Sequence, residues 1–179
     1  MQKLSKFIFT RILGWKLVGD FPKHLKKYVV IAAPHTSWKD FPIAILARNS
    51  SGEKVNFIGK NSLFNGPFGF IFRSLGGTPV DRSQSSNMVD AIVQIFEKKE
   101  EFRLGISPEG TRKKVVRWKT GFLRLANDLD CEILLLGFDF PGKRLVIGHL
   151  FQPTGDNEAD LAFIRAYYKQ YIGKHPSQG

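Results

Sequence analysis

Largely apolar runs of strand length, each closed by a proline, a glycine or a polar cluster, constrain this chain more than any other feature of it. The plainest is Tyr28-Val29-Val30-Ile31-Ala32-Ala33, which reads as a buried strand and delivers the chain into Pro34-His35. Val55 to Gly59 ends at Lys60, and Phe102 to Ile106 ends in Ser107-Pro108-Glu109-Gly110-Thr111-Arg112. Ile133 to Phe140 and Leu145 to Leu150 form a hairpin across Pro141-Gly142. Between the runs lie helical patterns: Ile43 to Ala47, then Val89, Ile92, Val93 and Phe96 at i, i+3, i+4, i+7. A short helix over Thr120 to Asn127 and a last one marked by Leu161, Ile164, Tyr168 and Tyr171 complete the set. Strands alternating with helices predict an α/β fold, a single domain with a mixed, mostly parallel sheet flanked by helices. The pattern does not fix the strand order.

Three polar clusters follow strands: His35 with Asp40, then Asp81-Arg82 after the turn Gly76-Gly77, then Glu109 to Arg112. Loops at strand ends are where an α/β fold collects ligand-contacting residues, so one crevice can gather all three. Histidine titrates near neutrality and serves as a general base when a carboxylate fixes its tautomer. On one helix, residues five apart point about 140° away from each other. Pro42 belongs in a first helical turn, so the helix is expected to begin near Asp40 and to leave His35 in the turn before it. Such a turn can fold the imidazole back onto the carboxylate. The plainer alternative is a surface histidine with Asp40 as a helix cap. Asp81-Arg82 has its own plain reading as a surface ion pair.

Charge narrows the partners. Of the 179 residues 27 are Lys or Arg and 16 are Asp or Glu, a net charge of +11 that calls for an anionic partner. One cysteine, Cys131, excludes an internal disulfide and any cysteine-built metal site, and no metal-ligand cluster is seen. No stretch has the roughly 18 consecutive apolar residues of a membrane span. Leu4, Phe7, Ile8, Ile12 and Trp15 nevertheless recur at helical spacing among Lys3, Lys6, Arg11 and Lys16. That composition suits an amphipathic helix in a membrane interface, and equally a helix packed on the domain with a basic outer face. Taken as the former, residues 1–22 are a separable interface segment and 23–179 the remaining domain.

The three clusters, in this order and at these intervals, resemble the motifs of the glycerolipid acyltransferase superfamily, which includes the lysophospholipid (1-acylglycerol-3-phosphate) acyltransferases. His35, four residues and Asp40 match its first motif. Gly77-Thr78-Pro79-Val80-Asp81-Arg82 matches the second, and Pro108-Glu109-Gly110-Thr111-Arg112 matches the third residue for residue. A fourth, looser motif is an apolar strand carrying a proline; Ile133 to Gly137 stands there without one. Trp38-Lys39 within the first motif and Arg117-Trp118-Lys119 after the third are further departures. The match covers about residues 28 to 150.

The resemblance implies an O-acyltransferase that moves a fatty acyl group from an acyl thioester, acyl-CoA or acyl carrier protein, to a hydroxyl of a lysophospholipid or related glycerolipid. His35 would be the general base and Asp40 its orienting partner, while Lys60, Arg82, Glu109, Gly110, Thr111 and Arg112 would hold the acceptor and its phosphate. No cofactor beyond the co-substrate is expected, and no nucleic acid. The expected setting is peripheral, on the cytoplasmic face of a membrane, against its lipid surface. The aromatic stretch from Leu63 to Phe72 has two readings, the wall of an acyl-chain site or ordinary core packing. Two rival functions remain: a thioesterase or lipid hydrolase that uses the same base to activate water, and a basic nucleic-acid-binding protein.

Overall fold

The computed structural model describes residues 1–80 and 85–178, without the side chains of residues 85–87. Helix α1 (Gln2–Phe7) runs into a π-helical turn (Ile8–Ile12) and then a short strand, β1 (Lys16–Val18). There follow β2 (Lys27–Ala33), α2 (Asp40–Ser51), β3 (Asn56–Lys60), two short helices α3 (Asn61–Asn65) and α4 (Gly69–Ser74), and β4 (Gly77–Val80). The second half holds α5 (Ser85–Lys98), β5 (Phe102–Ile106), α6 (Gly121–Asp128), β6 (Ile133–Asp139), β7 (Arg144–Phe151) and α7 (Asn157–Tyr168).

The strands form one seven-stranded sheet in the order β1-β7-β6-β2-β5-β3-β4. All neighbours are parallel except the β6–β7 hairpin, so the mixed, mostly parallel α/β sheet is as the sequence predicts. β2 lies at the centre, with Val29 opposite Leu104 of β5 on one side and Ile133 of β6 on the other. From Val29 to Ala33 it is apolar because a strand in that place is covered on both faces.

Alternation along β2 sorts the helices into two layers. Val29, Ile31 and Ala33 share a core with Val89, Ile92 and Phe96 of α5, Phe122 and Leu123 of α6, and Ile164 and Tyr168 of α7. Tyr28 and Val30 face the other way, toward Ile43 and Ala47 of α2 and toward Phe9 and Trp15. Helices α3 and α4 lie on this second face. Ile58 and Val80 belong to the α5 side, so their neighbours Gly59 and the alternating Gly77 point away from it. There the Phe64 ring lies so close that a Cβ on either glycine would come within 2.8 Å of it.

The N-terminal segment packs on the domain through part of its apolar side. Phe9 and Trp15 are buried, Trp15 packing edge-on against Phe140 at 5.0 Å, and Lys16–Val18 pairs with Arg144–Val146 as an edge strand. Met1, Leu4, Phe7, Ile12, Leu13 and Val18 of its large apolar residues are exposed. Phe9 and Trp15, with Leu17 packed beside them, therefore have seats in the core, and removing residues 1–20 would unroof it. Among the described residues no helix is long and apolar enough to cross a membrane.

One side chain ties the two central strands to the last helix. The buried Tyr168 hydroxyl accepts from the Leu136 amide at 3.0 Å and donates to the Ile31 carbonyl at 2.6 Å. Burial pushes its pKa well above that of an ordinary tyrosine. Tyr168→Phe is expected to cost about 1–3 kcal/mol in chemical denaturation, since it strands a buried backbone donor and acceptor. An unchanged midpoint would mean that the two strands close up and pair directly.

Candidate functional site

β2, β3, β4 and β5 all run the same way, so their C-terminal ends meet at one edge of the sheet, where α/β folds place ligands. After β2 the chain passes a cis Ala33–Pro34 bond and enters a turn that carries His35. Asp40 opens α2, with Pro42 in its first turn. Asp40 is not the cap of that helix; its carboxylate reaches back instead. Oδ2 lies 2.9 Å from His35 Nδ1 and also accepts the Ser37 amide at 2.9 Å. Asp40 is 1% exposed, and its Oδ1 is buried with no hydrogen-bond partner among the described residues. The side chain of His35 is 27% exposed.

A second buried acid holds the same turn. Glu109, 6% exposed, accepts the His35 amide on both carboxylate oxygens, at 2.9 and 3.0 Å, and the Ser107 hydroxyl at 2.8 Å. Burial raises its pKa, and the His35 and Ser107 hydrogen bonds oppose that rise. The family resemblance assigns Glu109 to the acceptor. In the structure its carboxylate engages the backbone of the histidine turn, and it is not among the residues that line the cavity. The C-terminal tail closes on the turn from another side. The His175 amide donates to Thr36 Oγ1 at 3.2 Å. With its nitrogen turned toward them, the Gln178 side-chain amide reaches the carbonyls of Arg112 and Thr36 at 2.9 and 3.1 Å.

His35 and Asp40 open on a cavity of about 720 Å³. Lys60, Gly110, Thr111, Arg112 and Lys119 also line it, so four of the predicted acceptor residues share one cavity with His35. Arg82, and Asp81 before it, lie outside the described residues; Val80, the last residue before them, ends β4 opposite Lys60. Lys119 is an addition that spacing did not single out from the basic run Lys113 to Lys119. Gly110 selects it. With φ +67° and no Cβ, Gly110 lets the lysine stem lie across it, and a Cβ there would come within 2.9 Å of Lys119 Cε.

The apolar lining of the cavity follows from a short register. β5 and β3 are in register only at Asn56 with Leu104 and Phe57 with Gly105. Beyond that point Ile58 to Lys60 and Gly105 to Ser107 all line the cavity. The space therefore touches Phe41 and Ala44 of α2 on one face of the sheet and Val89 and Ile92 of α5 on the other. Of the aromatic stretch, Leu63 and Phe72 line it while Phe64 is buried as packing. Both readings of that stretch thus apply, to different residues. Phe68, Phe70 and Ile71 fit neither, for they are exposed and stand outside the cavity wall.

Comparison with known proteins bears on the family and on the fold. The chain matches the family described as Acyltransferase over residues 17–137. No curated protein matches it significantly in sequence. Among solved structures it is similar to the 1-acyl-sn-glycerophosphate (LPA) acyltransferase PlsC from Thermotoga maritima. That likeness has a TM-score of 0.64 at 20% identity and covers 94% of this chain and 75% of that one, and it extends the shared fold well beyond the matched residues. The chain is an enzyme of the acyltransferase family.

Proposed function

We propose that this enzyme transfers a fatty acyl group from an acyl thioester, carried by coenzyme A or acyl carrier protein, to a hydroxyl of a lysophospholipid or related glycerolipid. The observation that carries the reading is the 2.9 Å contact between His35 Nδ1 and the buried Asp40 carboxylate, at the rim of a cavity of about 720 Å³. Asp40 holds the tautomer with the proton on Nδ1, which leaves Nε2 as the base. Nε2 takes the proton of the acceptor hydroxyl as its oxygen attacks the thioester carbonyl. The tetrahedral intermediate collapses with cleavage of the C–S bond. The departing thiolate takes the proton back from the imidazolium, giving an ester and a free thiol.

The cations have a role that water activation would not need. Arg112 offers a planar fork for a phosphate, and Lys60 and Lys119 add point charges in the same cavity. By its place in the second motif Arg82 would join them. An anionic headgroup bound there sets its hydroxyl against His35, and this favours acyl transfer over hydrolysis. Membrane binding belongs to the same reading: the enzyme sits peripherally on the cytoplasmic face, where exposed Leu4, Phe7 and Ile12 beside Lys3, Lys6 and Arg11 contact lipid.

The direct test is a lipid-product assay that offers a panel of lysophospholipid and glycerolipid acceptors with both thioester donors. Acylated lipid should exceed free fatty acid; free acid as the main product would make the enzyme a hydrolase. His35→Ala should lower turnover by about two orders of magnitude or more in a folded protein, and Asp40→Asn should slow it as well. Near-normal turnover in His35→Ala removes the base from the mechanism. Glu109→Gln separates a positioning role from an acceptor contact. If Glu109 holds the His35 amide, kcat should fall about tenfold or more with little change in the acceptor KM, because the amide NH₂ presents a donor to a donor. A rise in acceptor KM at constant kcat would return Glu109 to the acceptor.

A further inference from the structure

Phe68 and Phe70 are 65% and 68% exposed, with Leu63 at 46% and Ile71 at 40% beside them. Four large apolar side chains within nine residues make a patch, which isolated surface hydrophobics do not. Among the described residues neither the Phe68 nor the Phe70 ring packs on another ring. The segment is nevertheless anchored. Phe64 is buried, Arg73 Nη1 donates to the Phe64 carbonyl at 2.9 Å, and the same guanidinium lies 5.7 Å from the Phe64 ring centre. The patch is thus held outward by a fixed base.

Charge and position indicate what covers it. From Lys54 to Val80 the chain carries Lys54, Lys60 and Arg73 and no acidic residue, so the charge of the segment that bears the rings is wholly positive. The patch also adjoins the cavity mouth, since Leu63 belongs to both and exposed Trp38 lines the cavity too. It lies on the α2 face of the sheet at the β3–β4 end. Leu4, Phe7 and Ile12 are exposed on the segment that packs on that same face at the β1–β7 end. Exposed aromatic and aliphatic side chains on a segment whose only charges are cations have the composition of a bilayer-interface contact.

We propose that α3–α4 is a second membrane-contacting surface: Phe68, Phe70 and Ile71 enter an anionic bilayer beside the cavity mouth, so that the acceptor passes from the lipid phase into the site without crossing water. The passage of acceptor rests on the acyltransferase reading, whereas the membrane contact itself does not. Two contacts at opposite ends of one face fix the orientation of the enzyme, which one contact would leave free to swing.

The test uses the full chain and its Phe68→Ser/Phe70→Ser variant, with matched thermal unfolding as the folding control. Co-sedimentation with phosphatidylglycerol-containing vesicles is measured together with turnover on two acceptors, a long-chain lysophospholipid in those vesicles and a short-chain, water-soluble one. The variant should lose about tenfold in vesicle binding and in vesicle turnover, while turnover on the soluble acceptor stays within about twofold. Unchanged vesicle binding overturns the proposal. An equal loss on the soluble acceptor also overturns it, by placing the rings in the catalytic cavity. A wild type inactive on every acceptor would sink the acyltransferase reading instead, and the sedimentation arm alone would then decide the membrane contact.

Discussion

A buried carboxylate has to find hydrogen-bond donors or lose its charge, and two such groups fix the site of this enzyme. Asp40 takes the His35 ring and the Ser37 amide; Glu109 takes the His35 amide and the Ser107 hydroxyl. The histidine is gripped twice, once by its ring and once by its backbone, from residues five positions and 74 positions away. The first grip sets which nitrogen is basic. The second sets where the ring stands relative to β5 and to the cations that follow it. Loss of either leaves a histidine of the right chemistry in the wrong place, and displacements of about 1 Å are costly in catalysis.

The parts of this arrangement legible from sequence are the local ones. His35 and Asp40 are joined by a short turn, and Pro42 marks where the helix begins. Their contact is thus decided by geometry within eight residues. The strands are legible for the same reason: each run of hydrophobic residues reports its own burial. The role of Glu109 is not, because its partner is a backbone amide and backbone amides leave no trace in the sequence. Lys119 is hidden similarly. It depends on Gly110 having no side chain, a relation across nine positions that no periodicity encodes. At the N-terminus the helical pattern is real, but periodicity does not say what meets the apolar face. Phe9 and Trp15 went to the core, while Leu4, Phe7 and Ile12 stayed outside.

The two faces of the sheet carry different duties. The α5–α7 side builds most of the packed core and includes the Tyr168 hydroxyl between β2 and β6. The α2 side has the exposed apolar residues of the N-terminal helix and of α3–α4 at its two ends. The cavity reaches both sides because β3 and β5 share so short a register. A parallel sheet gives up ladder hydrogen bonds there, and the opening it gains in exchange is deep and apolar, bordered by strand backbone that does not move with a loop.

The central position of β5 has a consequence for how the chain becomes a protein at all. β2 and β3 are neighbours in sequence but not in the sheet, because Phe102–Ile106 lies between them. Until that strand has been made, one edge of β2 has no partner, and β6, from Ile133 onward, closes the other edge later still. During synthesis the central strand of the sheet therefore waits through some seventy residues with its backbone unpaired. The turn with His35 is attached to its end, and its amide meets Glu109 only when β5 arrives. The geometry of the histidine turn is consequently among the last things to form, and the interval before it is when a nascent chain of this order most needs shielding from its neighbours.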